Sequence, residues 1–198
     1  MAYTTIDDPS AYFQTTIYTG NGGTQSITNT GNSDMQPDWT WIKRRDSADN
    51  HNTFDSVRGA THRLITNLTN AQDTVTNMLT SFNSDGFSVG SHAGVNGSSM
   101  TYASWNWKKQ AGVFDIQTYT GNGSNRTISH NLGAVPTMMI TKVRSTTNQW
   151  LVYHQGIGNT NTVKIDDTSA STEQTNLWNS TTPTSSVFSV GTHTGSNL

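Results

Sequence analysis

Apolar and polar residues alternate along this chain in short runs, and clusters of Gly, Asn, Ser, Thr and Pro separate one run from the next. Period-two alternation puts successive side chains on opposite faces of a strand, and such clusters close turns, so the pattern predicts a succession of short strands. In the second half these strands are expected at residues 113–120, 126–130, 137–143, 149–154, 162–166 and 186–192. The first half adds one more at 100–107. One stretch pulls the other way: Leu64, Leu68, Ala71, Val75, Met78 and Phe82 follow a three-four spacing that suits an amphipathic helix. Its aligned counterpart, Val163-Lys164-Ile165-Asp166, alternates at period two, so a strand is the expectation there as well.

The alignment comes from an internal repeat. Phe13 to Gly22 (FQTTIYTGNG) matches Phe114 to Gly123 (FDIQTYTGNG) at an offset of 101 residues. Pro37, Lys43, Arg45 and Gly59 fall on Pro136, Lys142, Arg144 and Gly158 at an offset of 99, and Phe87 to Gly94 returns to an offset of 101 on Phe188 to Gly195. A repeat of this length predicts two copies of one β-rich module, residues 1–110 and 111–198. The expectation is therefore an all-β chain of two tandem β-sandwich repeats of jelly-roll or concanavalin-like type. The counterpart of 100–107 would start beyond Leu198, so the second copy is expected to lack its last strand.

Composition agrees with strands and narrows the function. Ser and Thr make up more than a quarter of the chain and there is a single Glu, Glu173, so helix formers are scarce. Six Trp, six Tyr and six Phe supply enough large apolar surface to fold a chain that is only 31% apolar. The net charge is −2, and Lys43-Arg44-Arg45 is offset by Asp38, Asp46 and Asp49, which argues against a nucleic-acid partner. With no Cys there is no disulfide scaffold or thiolate metal site. No run approaches membrane-spanning length, and the opening residues carry neither a basic nor an apolar leader segment, so a cytoplasmically made chain without membrane partner is expected.

Candidate chemistry is sparse. Glycan cleavage would need two carboxylates set across a cleft. Asp166 and Asp167 are adjacent and point to opposite faces of a strand, and Asp55 has Arg58 close by, so a turn cap and a local ion pair are expected in their place. His92 and His193 are equivalent in the two copies, but each lacks a spaced second ligand, and neither a metal nor a cofactor is expected. The glycine turns at Gly20-Asn21-Gly22-Gly23 and Gly121-Asn122-Gly123 lack the Lys and helix of a phosphate loop and are expected to be hairpin turns. Of the tryptophans, Trp39 and Trp41 align with Met138 and Ile140, and Trp105 and Trp107 share a face with Ala103, so these four are expected in the core. Trp150 aligns with His51 and Trp178 has no aromatic counterpart, which makes Trp150 and Trp178 the expected ligand-contact residues.

Several longer motifs carry a family likeness. Pro37-Asp38-Trp39-Thr40-Trp41-Ile42-Lys43, Phe54-Asp55-Ser56-Val57-Arg58-Gly59-Ala60-Thr61 and Ser84-Asp85-Gly86-Phe87 resemble a repeat of tail-fibre-like structural proteins of marine bacteriophages. Leu132-Gly133-Ala134-Val135-Pro136 and the stretch from Trp178 to Phe188 resemble its variant form. The resemblance implies a concanavalin-like module without catalytic residues, sited on a virion as tail fibre, spike or capsid decoration. A homo-oligomer bound to other virion proteins, with a role in host attachment through surface glycan, is the matching expectation. A carbohydrate-binding module is the alternative, and a glycan-degrading enzyme comes third. Because a sandwich without its last strand has an open edge, that edge is expected to be covered by residues 2–6 of a neighbour, by the sheet of a symmetry mate or by another virion protein, or else to be filled by the continuation of a longer chain of which this sequence is a fragment.

Overall fold

The computed structural model describes residues 7–198, and the chain is all-β, built from several antiparallel sheets. It forms two compact units: Met1–Leu64 with Asp73–Gln110, and Ile65–Gln72 with Ala111–Leu198. The change of unit at Gln110/Ala111 follows the repeat. The stretch 65–72, by contrast, belongs by sequence to the first copy and by contacts to the second unit.

In unit 1 the strands are β1 (Phe13–Thr19), β2 (Gln25–Ile27), β3 (Trp39–Arg44), β4 (His51–Asp55), β5 (Gly59–Ile65), β6 (Asp73–Thr74), β7 (Leu79–Phe82), β8 (Phe87–Val89) and β9 (Thr101–Trp107), with one helical turn, α1 (Ala93–Asn96), before the last. Six of them form a sheet in the order β1-β9-β3-β4-β5-β6, and β2-β8-β7 form a second, three-stranded sheet. The last strand, β9, is thus internal: it runs antiparallel to β1 on one side and to β3 on the other. No helix spans 64–82; the stretch resolves into the end of β5, then β6 and β7, because its Thr and Asn residues favour extended backbone and turns.

The core of unit 1 gathers Tyr18, Ile27, Ile42, Phe54, Met78, Leu79, Phe87, Val89, Val95 and Tyr102. The sheet face that carries it is partly polar. Gln14, Thr16, Thr40, Ser104 and Asn106 are buried on the same face, under the chain that leads from β2 to β3. Burial of such groups is costly unless each finds a partner, and they do. Asn106 donates to Asn29 Oδ1 (3.2 Å) and accepts from Thr40 (3.0 Å), Asn29 donates to the Met35 carbonyl (2.8 Å), and Gln14 bridges Ser33 O (2.8 Å) and Gly31 N (2.6 Å).

Unit 2 contains β10 (Arg126–Ser129), β11 (Met138–Thr141), β12 (Leu151–His154), β13 (Asn161–Lys164), β14 (Thr172–Glu173) and β15 (Val187–Val190). Its sheets run β11-β12-β13-β14 and β10-β15. The expected strand at 113–120 does not form, since its counterpart in unit 1, β1, is paired by β9, and β9 has no counterpart among residues 111–198. The core here is Leu151, Tyr153, Leu177 and Trp178, with Met139 against it. The expected covering segment 2–6 lies outside the described residues.

One device recurs in both units. Asn96 is fully buried; its Oδ1 accepts the Asn21 amide (2.9 Å) and its Nδ2 donates to the carbonyls of Gly23 (2.8 Å) and Gly90 (2.9 Å). Asn197 does the same for Asn122 N (2.9 Å), Ser124 O (2.6 Å) and Gly191 O (2.8 Å). Tyr18 donates to Val95 O (2.8 Å) and Tyr119 to Ser196 O (2.6 Å). Each asparagine ties a glycine turn to the glycine that follows β8 in unit 1 or Val190 in unit 2. Gly20 and Gly121 are needed beside it, because a Cβ on either would collide with the backbone of Gly97 or Leu198.

Candidate functional site

The face of the six-stranded sheet that points away from the unit 1 core is aromatic. Register places Phe13, Trp107, Trp39 and Asp55 in one row across β1, β9, β3 and β4. The next row is Thr15, Trp105, Trp41 and Thr53, and the third is Ile17, Ala103, Lys43 and His51. Trp39 stacks on Trp107 at 4.6 Å between ring centroids, Phe13 lies 5.0 Å from Trp107, and Trp41 lies 5.8 Å from Trp39 and 6.2 Å from Trp105. The four tryptophans are half-buried, while Phe13 (40%) and Ile17 (64%) are exposed. Phe13 and the four tryptophans thus form one contiguous, partly exposed aromatic surface.

These four tryptophans therefore share a face, as alternation predicts, but not the face that enters the core. The inner positions are taken by Thr40, Ile42, Tyr102, Ser104 and Asn106. Both faces of β3 and β9 carry large side chains, so alternation alone fixes which residues go together and leaves open which set turns inward. Lys43, in register with the tryptophans, is the one signal in the sequence that their face is the outer one.

The two expected contact residues are in the opposite situation. Trp178 is fully buried and packs edge-on against Tyr153 at 6.0 Å. Trp150 is 5% exposed, and its indole N–H donates to the carbonyls of Ile65 (2.9 Å) and Leu68 (3.2 Å). Neither offers a ring face to a ligand. Trp178 stands where the first copy has the fully buried Leu79, and Trp150 is covered by the 65–72 stretch that unit 2 takes from the first copy.

Electrostatically the aromatic face is quiet. Its carboxylate, Asp55, is buried and bound to Arg58 through its side chain and by the Arg58 amide (2.8 Å). His51 is held below its ordinary pKa by burial and then by the Lys43 charge, so it is neutral at pH 7. In unit 2, Asp166 accepts the Trp150 amide (3.0 Å) and Asp167 accepts from the Ser169 amide (2.9 Å) and hydroxyl (2.8 Å). Both acids, with Asn67, Ile165 and Thr168, line a pocket of about 340 Å³; Asp167 is engaged within its own loop, whereas Asp166 is held by the Trp150 amide through Oδ1 and keeps Oδ2 buried without a hydrogen-bond partner. Among the described residues no group of three or more His, Cys, Asp or Glu side chains is placed to hold a metal. The glycine turns bind the buried asparagines through their backbone, so those groups are committed to the fold.

His92 and His193 each turn Nδ1 onto a backbone amide, Gly94 N at 3.0 Å and Gly195 N at 2.9 Å. That bond needs an unprotonated Nδ1. Burial holds His193 below its ordinary pKa, so the folded chain binds this proton less readily than the unfolded chain, whose imidazole titrates near 6.5, roughly the ordinary value. The resulting stability is complete above the unfolded value and is lost as pH falls through the lower, folded one. The melting midpoint of unit 2 is expected to be level between pH 8 and 7, both roughly above that range, and to drop in mild acid. His193→Asn, which keeps an acceptor for Gly195 N–H, should flatten this acid limb. An identical limb in wild type and variant would assign it to other groups.

Compared with known proteins, the chain matches no curated protein and no solved structure. Residues 8–198 match a family described only as Domain of unknown function (DUF7483), and the match runs through both copies of the repeat. This chain belongs to the DUF7483 family.

Proposed function

We propose that this chain is a non-catalytic structural and binding protein of a bacteriophage surface, part of a tail fibre, spike or capsid decoration, and that the aromatic face of unit 1 is where it touches host glycan. The observation that carries the glycan reading is the band formed by Phe13, Trp39, Trp41, Trp105 and Trp107 across three adjacent strands. Pyranose rings present flat C–H faces, and such faces pack well on aromatic side chains held rigid by their neighbours. Flanking hydroxyl and imidazole groups on Thr15 and His51, with the Lys43 amine, supply polar partners at the margin. The virion setting rests on the sequence motifs around Trp39, Asp55 and Asp85. Two tandem sandwich repeats of concanavalin-like type fit the pairings that recur from unit to unit, β2 with β8 and β10 with β15, β3 with β4 and β11 with β12. The engaged states of Asp55 and Asp167 favour binding over hydrolysis.

An array of bacterial surface polysaccharides, probed with the protein and with Trp105→Ala and Trp107→Ala, tests the reading. Wild type is expected to bind a subset of glycans, and either variant to lose roughly tenfold in affinity, the equivalent of about 1.4 kcal/mol. Both variants should remain folded, since these side chains are half-exposed. Equal binding by wild type and variants would remove the aromatic face from the contact, and release of reducing ends would replace a binding role with an enzymatic one.

A further inference from the structure

The asparagine that ties the glycine turn is followed by a different residue in each unit: Asn96 by Gly97, and Asn197 by Leu198. The difference matters chemically. An asparagine followed by glycine readily loses its side-chain amide, because glycine has no Cβ to crowd its backbone nitrogen or restrict its torsions. In that reaction the Gly97 nitrogen gives up its proton and attacks Cγ of Asn96. The N–Cγ bond forms, the Cγ–Nδ2 bond breaks, and Nδ2 leaves as ammonia with the proton. Water then opens the five-membered imide at one of its two carbonyls. The product is aspartate or, when the backbone is left running through the side chain, isoaspartate.

In folded unit 1 every atom of this reaction is engaged. Asn96 is 0% exposed and Gly97 is buried. The leaving nitrogen, Nδ2, donates to Gly23 O (2.8 Å), Gly90 O (2.9 Å) and Asn21 Oδ1 (3.0 Å), while Oδ1 accepts the Asn21 amide (2.9 Å). The attacking nitrogen carries its proton in a bond to the Tyr102 hydroxyl (2.8 Å). Ring closure would break these bonds in a place closed to solvent, whereas the chain's other two Asn-Gly pairs, Asn21-Gly22 and Asn122-Gly123, are exposed.

We propose that Asn96-Gly97 is a self-modification site that the folded unit 1 keeps shut, so that opening of the unit is converted into its permanent loss. An aspartate product sets a carboxylate oxygen against the three acceptors that Nδ2 served. An isoaspartate product adds a methylene to the backbone between α1 and β9. Neither lets the turn close again. At the equivalent tie in unit 2 the Leu198 side chain crowds the attacking nitrogen, so the same bonds are made there without this weakness. The inference is independent of the glycan reading, since it concerns the inner tie of unit 1 and not its outer aromatic face.

Peptide mass mapping of the 198-residue chain, aged in mildly alkaline buffer with and without denaturing urea, tests it. In urea Asn96 is expected to react at the rate of a free peptide of residues 92–101, alongside Asn21 and Asn122, while Asn197 stays intact. In native buffer Asn96 should react roughly a hundredfold more slowly or less, because only opened molecules are competent. Gly97→Ala should slow the reaction in urea roughly tenfold or more. After equal ageing in urea and dilution, that variant should regain folded unit 1 in higher yield than wild type. Native reaction at the free-peptide rate overturns the inference, and so does an Asn96 that stays intact in urea while Asn21 reacts. Aged wild-type chains that carry the modification at Asn96 and still refold to the original urea midpoint of unit 1 overturn it as well, whether or not the alanine variant folds.

Discussion

Trp178→Ala is expected to unfold unit 2 under conditions where wild type is stable. The side chain is fully buried and belongs to a core of four buried residues, Leu151, Tyr153, Leu177 and Trp178. Removing an indole from such a site loses its transfer free energy and leaves a cavity that few neighbours can fill, about 3–5 kcal/mol. For a domain of this size that is a fall in melting midpoint of roughly 15 °C or more, enough to exhaust the stability of many small domains. The Trp178 indole N–H is itself buried without a hydrogen-bond partner, so Trp178→Phe should recover most of the loss. Calorimetry reads both variants. A Trp178→Ala protein that melts with wild type would mean that the residue is not in the core.

Asn96→Asp is expected to be the most damaging single-atom-scale change in unit 1. The substitution keeps the shape of the side chain and replaces an amide nitrogen with an oxygen. That nitrogen donates to Gly23 O, Gly90 O and Asn21 Oδ1, so the new oxygen would face three acceptors inside the fold. A carboxylate there is buried, uncompensated and set against other oxygens, a penalty of about 3–5 kcal/mol. Asn96→Ala removes the same bonds without adding charge and should cost less, about 1–3 kcal/mol. Urea unfolding of the two variants gives the order, and the aspartate loss should shrink at acid pH as the carboxyl takes up a proton. If Asp and Ala cost the same at neutral pH, the amide nitrogen is not what holds the turn.

The two results bear on different parts of one design. The Asn96 and Asn197 bonds tie each glycine turn to the end of β8 or β15, and they recur with the repeat. The cores do not recur in the same way. Unit 1 buries ten core residues around a completed sheet, whereas unit 2 relies on Trp178, Leu177 and two residues of β12. A smaller core makes unit 2 the part whose stability depends most on any one side chain.

The all-β class of this protein and the sequence repeat were legible in the sequence, because alternation and turn residues act locally and the duplicated motifs carry the same local instructions. Alternation also grouped Trp39 with Trp41 and Ala103 with Trp105 and Trp107. Which group faces inward was not legible. Tertiary structure decided it through Asn29, Met35 and Gln14, whose hydrogen bonds make a polar inner face affordable and leave the aromatic residues outside. Trp150 and Trp178 were misread for a related reason. A copy-to-copy comparison shows that a residue differs, but only three-dimensional packing shows that Trp178 replaces Leu79 in a core, or that 65–72 crosses from the first copy to cover Trp150. The fate of residues 113–120 belongs to the same class: their sequence is that of a strand, and a strand forms only where another supplies its backbone partners.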